Sequence, residues 1–433
     1  MTDAPSGRRS ELLLGVVAIV LIAATMRLPV AALSPLAGRI DADIPLSALA
    51  LGALGTAPPI AFALAGVLAP RLARRLQLEP TLLLAMLAMI AGHLVRAAAL
   101  DFTMLLVGTL VLLLGAGFGN VLLPAAVKKV TPHRIGAMTA AYAMIMSIGA
   151  AVPPLVAVPL AELADWRVSL AVWAAFVAVA VLPWVVLAMR EVRAHRERRA
   201  ALEAEDGAPV AVLARPRRAA LLRSPTLWGI GIPFTVSSIL AYAGYALLPP
   251  MLREIAGVGE AEAGALLALL GFLGLPLAAV GPVLAARLRT PTPLLVASTA
   301  LFGTAYTGLL LAPQAATVLW MIALGLGYIT FPMCLALFAL RTRTPEMAST
   351  VSGAVQTVGY AIAAFAPLLL GALRDGTGSW SPAIAVLLAL AFANLIAVPL
   401  LGRRGMVDDE LGLSASRAAS RADRRGARAP RPR

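Results

Sequence analysis

Apolar residues occur along this chain in long blocks that are separated by short polar gaps. The apolar blocks are at residues 11–34, 46–69, 80–100, 103–127, 135–160, 167–189, 226–250, 261–286, 292–313, 315–340, 346–371 and 382–402. Each is about 20 residues or longer, enough for a helix to cross a ~30 Å hydrocarbon layer at ~1.5 Å per residue. A membrane barrel would show short segments of alternating hydrophobicity instead. The pattern therefore predicts an all-α membrane protein with twelve transmembrane helices.

The positive charges predict the orientation of these helices. Arg and Lys residues lie almost entirely in every second gap, whereas the alternate gaps contain only Arg39, Arg167, Arg253 and Arg374. Because cytoplasmic loops carry the excess of Lys and Arg, both termini are expected to be cytoplasmic. The net charge of +14 then reflects orientation and attraction to anionic lipid, and a nucleic-acid partner is not expected.

The composition excludes an ordinary soluble domain. Hydrophobic residues make up 60% of the 433 residues, and the mean hydropathy is +0.87, far above the range of soluble globular proteins. The first block is too long for a signal-peptide core and lacks a small-residue cleavage site, so we expect it to stay in the mature protein. The expected location is a bacterial-type plasma membrane, crossed many times by the chain.

One long polar interruption, residues 190–225, divides the blocks into six and six. A similar basic turn follows the second block of each half, with Gly66 before Arg71 in one and Gly281 before Arg287 in the other. Related halves on either side of a long loop are typical of carriers. The predicted organisation is a cytoplasmic N-terminus at 1–10, a six-helix bundle at 11–189, a cytoplasmic linker at 190–225 with a surface helix at 191–205, a second six-helix bundle at 226–402 and a basic disordered tail at 403–433.

The turn after the second block resembles a known signature. It reads Gly66-Val-Leu-Ala-Pro70-Arg71-Leu-Ala-Arg74-Arg75, which is similar to the signature loop of the major facilitator superfamily. The resemblance implies that Gly66 permits close helix approach and that Arg71, Arg74 and Arg75 hold the cytoplasmic gate. The aspartate usual in that loop is Pro70 here.

Other motifs resemble one branch of that superfamily, the cyanate and nitroimidazole transporter (CynX/NimT) family. They are Arg27-Leu-Pro29-Val in block one, Gly115-Ala-Gly117-Phe-Gly119-Asn120 in block four, Gly325-Leu-Gly327 in block ten and Ser352-Gly-Ala-Val-Gln356-Thr-Val-Gly359-Tyr360 in block eleven. The resemblance implies two six-helix bundles and transport by alternating access. Thr25 replaces a common Asn, and near Tyr242 the family's Gln and Trp are replaced by Ser237 and Leu247, which affects substrate identity most.

Arg27 is the strongest candidate for binding a substrate. It lies about 24 Å of helix rise from the start of the first block, too deep to reach water easily, and a buried guanidinium needs an anion or a dipole as partner. Its alternatives are carbonyl groups near Pro29 or the outer interface. The blocks contain no central carboxylate, so Arg27 favours a small anionic solute, such as a carboxylate or cyanate.

Five further residues complete the predicted substrate site. They are Asn120, Tyr142, Tyr242, Gln356 and Tyr360. Each has a structural alternative, because an Asn or Gln in a membrane helix also forms bonds between helices, and a buried Tyr also packs with its hydroxyl satisfied locally. Their depths would place blocks seven and eleven opposite block one across a cavity.

His93 is the predicted candidate for proton coupling, since it is the one His inside a block. Arg96 lies one turn later on the same face, and a nearby cation disfavours the charged form of His. The favoured interpretation is therefore a pair that anchors block three at the outer interface. Proton symport with a protonated substrate stays open.

Glycine and proline residues predict mechanical features. Gly115, Gly117 and Gly119 indicate close helix packing, not phosphate binding. Pro153 and Pro154 predict a bend in block five.

The leading hypothesis is a secondary transporter of a small anionic solute. The alternatives are an exporter of neutral or weakly basic toxic compounds, such as nitroimidazole-like drugs, and a sensor that binds a solute without transporting it. An enzyme is not expected, because no metal-ligand cluster, nucleophile triad or nucleotide motif occurs in the sequence. We expect no cofactor, no metal, a small-molecule partner, contact with the lipid bilayer, a possible coupling proton and a monomer.

Overall fold

The computed structural model describes residues 5–28, 33, 36–204 and 218–412, and each apolar block corresponds to one helix or interrupted helix. The main helices are α1 (Pro5–Thr25), α2 (Ala48–Leu76), α3 (Leu78–Ala97), α4 (Phe102–Val130), α5 (Ile135–Leu163), α6 (Trp166–Ala204), α7 (Pro225–Ile255), α8 (Glu260–Arg287), α9 (Thr292–Leu311), α10 (Thr317–Gly327 and Thr330–Leu340), α11 (Pro345–Thr377) and α12 (Ser381–Ala393, extended by Asn394–Ile396 and Ala397–Gly402). Short helices lie at Ala37–Asp43, Arg218–Leu221 and Val407–Glu410. The prediction of an all-α membrane protein is confirmed.

Most of these helices are long and apolar enough to cross a membrane. Within the described ranges, ten meet this criterion, and the two parts of α5 together make an eleventh. The apolar part of α1, Ser10–Thr25, is shorter, and most of the residues from 29 to 35 lie outside the described part. Twelve membrane crossings and cytoplasmic termini therefore stay predictions.

Side chains in the loops define where helices begin. The Ser47 hydroxyl accepts the Ala50 N–H at the start of α2 (3.2 Å), and the Asp101 carboxylate accepts the Met104 N–H at the start of α4 (2.8 Å). These bonds satisfy N–H groups that have no partner within the helix. The polar residues between the apolar blocks thus set the helix boundaries.

Two helices are interrupted. The axis of α5 turns by 42° between Ile135–Ala150 and Leu155–Leu163, which confirms the predicted bend, because proline removes a hydrogen bond within the helix. The two parts of α10 join at Tyr328 and Ile329, where the Ser298 hydroxyl of α9 donates to the Gly327 carbonyl (2.6 Å). A side chain of a neighbouring helix thus satisfies a carbonyl at this break.

The helices pack in two groups that meet along a few contacts. In the first group, α3 packs on α4 and α6, and α1 packs on α5 and α6; in the second, α7 packs on α11 and α12, and α9 packs on α10 and α12. The groups meet where α2 and α4 contact α11 and where α5 contacts α8. We call them the N-terminal and C-terminal halves; the predicted domain boundaries stay predictions.

Two segments differ from the expected organisation. Helix α6 continues without a break to Ala204, so the helix expected in the linker is part of α6. The first ten residues of the expected tail, 403–412, pack on the protein, and Val407 is fully buried. Residues 205–217 and 413–433 lie outside the described residues.

The halves pack most tightly at the end of the bundle that carries Arg71, Lys128 and Arg341, which we call the basic end. A Cβ on Gly66 of α2 would lie 2.6 Å from the Gly353 carbonyl oxygen of α11, and a Cβ on Gly136 of α5 would lie 2.9 Å from the carbonyl oxygen of Pro282 on α8. Glycine allows these backbones to approach. Towards the opposite end, the glycines of α2, α8 and α11 have open space, at Gly52, Gly55, Gly264, Gly271, Gly274 and Gly371.

Candidate solute-binding site

Tyr360 of α11 lies at the centre of the bundle, and only 2% of it is exposed. Its ring centroid is 5.4 Å from that of Phe62 on α2, 5.2 Å from that of Phe234 on α7 and 6.2 Å from that of Tyr242 on α7. These are normal spacings for aromatic pairs. The Tyr360 ring therefore connects the N-terminal half to the C-terminal half.

The Tyr360 hydroxyl accepts hydrogen bonds from two predicted site residues. Asn120 of α4 donates through Nδ2 at 3.3 Å, and the guanidinium of Arg27 also bonds to this oxygen. Arg27 lies just after the last residue of α1, Thr25, and is half-buried. The structure thus gives Arg27 a neutral partner across the two halves, at the position where the sequence predicted an unpaired cation.

Gln356 lies one helical turn from Tyr360 on the same face of α11. Its Nε2 donates to the Asn120 carbonyl (3.2 Å) and to the Ser352 hydroxyl (2.8 Å). Its Oε1 is buried and has no hydrogen-bond partner among the described residues. Gln356 therefore bridges α11 and α4, as the structural alternative for this residue proposed, and it keeps one acceptor free.

Two tyrosines of α7 face Arg27. Tyr242 and Tyr245 are each within range of the Arg27 charge, and Tyr245 is also within range of Tyr328 at the break of α10. Tyr245 is 57% exposed. Because it lies near both α1 and α10, this exposed surface belongs to the space between the halves. The sequence analysis missed Tyr245, although its spacing of three from Tyr242 places both on one helix face.

Tyr142 of α5 lies near the same centre. It is 2% exposed and within electrostatic range of Tyr360. Five of the six predicted substrate-binding residues, Arg27, Asn120, Tyr142, Tyr242 and Gln356, thus lie around the sixth, Tyr360. Whether they bind a solute stays a prediction.

The residues predicted to form the gate lie at the basic end, but their contacts are mainly apolar. Pro70 packs against Gly353, where an added Cβ would lie 2.5 Å from Pro70 Cγ. Arg71 is exposed, and its guanidinium donates to the carbonyl of Val67 in its own helix (3.3 Å); Arg74 and Arg75 are exposed as well. At this contact the described residues show close packing between the halves.

His93 and Arg96 lie inside the N-terminal half. Both are fully buried, and His93 lies against the backbone of Leu170 on α6. This position is between α3 and α6, separate from the cluster around Tyr360. The expected pair is therefore a buried one, and its role in proton coupling stays a prediction.

Carboxylates of the described residues lie near the helix ends, away from Arg27. At the end opposite the basic end, Asp43 pairs with Arg167 (2.6 Å) and Glu254 pairs with Arg374 (2.8 Å). Hydrogen bonds from Arg167 and Trp166 lower the pKa of Asp43 below its ordinary value. Within the described ranges, no carboxylate forms an ion pair with Arg27, and no group of three His, Cys, Asp or Glu residues could hold a metal ion.

Sequence comparison finds similar transport proteins over most of the chain. Residues 14–367 match the family model described as Major Facilitator Superfamily. The chain is 30% identical to the uncharacterized transporter YycB of Bacillus subtilis (86% of this chain, 89% of the relative) and 30% identical to the 2-nitroimidazole transporter of Escherichia coli (84% and 88%). It is 28% identical to the cyanate transport protein CynX of Escherichia coli (69% and 73%). The resemblance to the CynX/NimT family is confirmed.

Structure comparison finds the same fold. The proton:xylose symporter XylE, bound to 6-bromo-6-deoxy-D-glucose, matches with a TM-score of 0.68 at 12% identity, over 94% of this chain and 99% of that one. At this identity the similarity concerns the fold alone. The arrangement of helices around Tyr360 is thus shared with a known carrier.

Proposed function

The chain belongs to the Major Facilitator Superfamily, and from this premise we propose that it is a secondary transporter of a small anionic solute in the plasma membrane. Arg27 would bind the anion, with Asn120, Tyr142, Tyr242, Gln356 and Tyr360 around it. The solute would be planar, like a carboxylate or cyanate, because a guanidinium offers two parallel donors to such a group.

The pairing of Arg27 carries this proposal. Its hydrogen-bond partner is the neutral hydroxyl of Tyr360, and no described carboxylate forms an ion pair with it. A cation in a poorly solvated site without a counterion favours binding of an anion. Nearby, the exposed ring of Tyr245 and the edge of the aromatic cluster supply apolar surface for the rest of the solute.

Alternating access is supported by the packing of the halves. The glycine contacts seal the basic end, where Gly66 meets Gly353 and Gly136 meets Pro282, whereas the same helices have open space further along. With the basic end facing the cytoplasm, as the charges predict, this conformation would receive solute from outside. Transport then requires the halves to part at the basic end.

Export of a neutral or weakly basic compound is the second candidate. It is favoured by the relative named 2-nitroimidazole transporter and by the rings of Phe62, Phe234, Tyr242 and Tyr360, which together form a largely apolar surface. A neutral heterocycle would use the aromatic surface and accept a hydrogen bond from Arg27 without pairing its charge.

Counterflow separates these candidates. Purified protein in proteoliposomes would be loaded with unlabelled benzoate, acetate, cyanate or 2-nitroimidazole, and the uptake of the same labelled compound would be measured. We expect exchange of at least one anion and no exchange of its neutral amide. Exchange of 2-nitroimidazole alone would favour the second candidate, and binding without any exchange would indicate a sensor.

A further inference from the structure

The contact between α2 and α11 at the basic end is apolar, so another contact must supply the charged part of the closure. We propose that Lys128 of α4 and Asp408, which follows α12, form the ionic gate of the basic end. Asp408 belongs to the segment Arg403–Glu410, which we call the C-terminal strap. This inference rests on the proposed alternating access and adds the residues that hold one end shut.

The strap is fixed to the loop between α10 and α11. The Val407 N–H donates to the Arg341 carbonyl (3.0 Å), and the Arg341 guanidinium donates to the carbonyls of Arg403 and Gly405, both at 3.4 Å. The Val407 side chain is fully buried in the core. These reciprocal bonds define one position for the strap on the C-terminal half.

Glu410 fixes the other end of the strap to the start of α7. Its carboxylate accepts hydrogen bonds from the hydroxyl of Ser224 and from both the hydroxyl (2.6 Å) and the N–H (3.2 Å) of Thr226. A carboxylate is favourable at a helix N-terminus, where N–H groups lack partners. The fit leaves no room for a side chain at Gly405, where a Cβ would lie 2.5 Å from Glu410 Oε1 and 2.7 Å from Thr226 Oγ1.

The strap carries a buried carboxylate to the contact between the halves. Asp408 is 3% exposed, and its Oδ2 accepts the Arg343 N–H (2.8 Å). Its neighbour Asp409 is exposed and pairs with the Arg343 guanidinium (2.6 Å). A backbone N–H alone leaves most of the Asp408 charge uncompensated, so a nearby cation stabilises it.

Lys128 supplies that cation from the N-terminal half. Its ammonium donates to the carbonyl of Ala339 in the last turn of α10 (2.9 Å), and it lies within range of the Asp408 charge. The carbonyl end of a helix attracts a cation. The next residue, Lys129, instead pairs with Glu79 (2.7 Å) and Glu191 (2.8 Å) of its own half. Of these two lysines, Lys128 loses its partners when the halves part.

The test measures opening at the basic end with a reporter cysteine. Ser349 is 4% exposed and lies one turn from Gly353 on the same face of α11, so it faces the contact between the halves. Ser349→Cys would be introduced into a Cys334→Ala background, since Cys334 is the one cysteine of the chain. The rate of labelling by a hydrophilic maleimide reports how often the basic end is open.

We expect Lys128→Gln and Asp408→Asn each to increase the labelling rate by roughly fivefold or more, and the double variant to exceed neither by much. The matched controls Lys129→Gln and Asp409→Asn should label at the parent rate. Gly405→Ala, which displaces the strap without altering either charge, should also label faster. Parent-like labelling of both Lys128→Gln and Asp408→Asn, or equal acceleration by Lys129→Gln, would overturn the gate.

Melting temperatures of each variant show that faster labelling is not unfolding. The assay contains no solute, so its outcome is independent of the substrate. Anion exchange by a parent protein whose labelling ignores both charges would retain the proposed function and remove the gate. Faster labelling without exchange of any anion would retain the gate and remove the anion.

Discussion

Gly66 of α2 and Gly353 of α11 face each other across the two halves, so that a Cβ on either one would lie 2.5 to 2.6 Å from the carbonyl oxygen of the other. Neither helix can move sideways to admit a methyl group without losing this contact. The sequence pattern attributed close helix approach to Gly66. The structure identifies the backbone that it approaches.

Gly66→Ala should therefore prevent full closure of the basic end. Overpacking at a tight contact costs about 1–3 kcal/mol, and this cost falls on the closed conformation, so the population shifts towards the open one. In the Ser349→Cys assay, we expect faster labelling and slower counterflow. Gly55→Ala on the same helix is the control, because its Cβ would meet open space; equal behaviour of the two variants would contradict the account.

Tyr360→Phe should impair transport more than folding. The variant keeps the ring that packs on Phe62 and Phe234 but removes the oxygen that accepts from Arg27 and Asn120. Two donors without an acceptor would destabilise the closed site by about 1–3 kcal/mol. We expect about tenfold slower counterflow, the equivalent of ~1.4 kcal/mol.

The matched control for that variant is Tyr306→Phe. Tyr306 is 1% exposed, and its hydroxyl has no hydrogen-bond partner among the described residues. Removing an unsatisfied hydroxyl is neutral or stabilising, so counterflow should be unchanged. Parent-like transport by Tyr360→Phe would show that its hydroxyl does not organise the site.

Asp43→Asn tests the charge cluster at the end opposite the basic end. Bonds from Arg167 and Trp166 lower the pKa of Asp43, so the folded state gains stability above the unfolded pKa of about 3.9. This gain is lost as the pH falls through the lower folded value. The parent should therefore melt above the variant at neutral pH, and the difference should vanish in acid.

Melting curves over that pH range provide the measurement. Glu262→Gln is the control, since Glu262 is exposed and forms no ion pair among the described residues. A difference between parent and Asp43→Asn that persists at low pH would show that the Asp43 charge is not its cause.

The fold was largely predictable because membrane helices must satisfy their backbone within each segment. Block length and charge distribution therefore indicated the helices, and proline indicated the bend of α5. The continuation of α6 to Ala204 was not predictable, because its last turns are polar and resemble a separate surface helix. The packing of Val407 was hidden by the basic composition around it.

The site was predictable in its members but not in its contacts. Charge and depth selected Arg27, whereas its bond to Tyr360 depends on how two distant helices meet. Tyr245 was missed because an exposed tyrosine in a helix carries no mark of the side that it faces. The strap was missed because Asp408 acquires its role only through bonds to Arg341 and Arg343.

The most direct test of the account is counterflow of the anion by Arg27 variants. Arg27→Gln removes the charge, Arg27→Lys retains it without the paired donors, and Arg39→Gln removes an exposed arginine that pairs with Glu162. We predict no anion exchange by Arg27→Gln, reduced exchange by Arg27→Lys and parent-like exchange by Arg39→Gln, with all three inserted and folded. Anion exchange by Arg27→Gln at the parent rate would contradict the central claim.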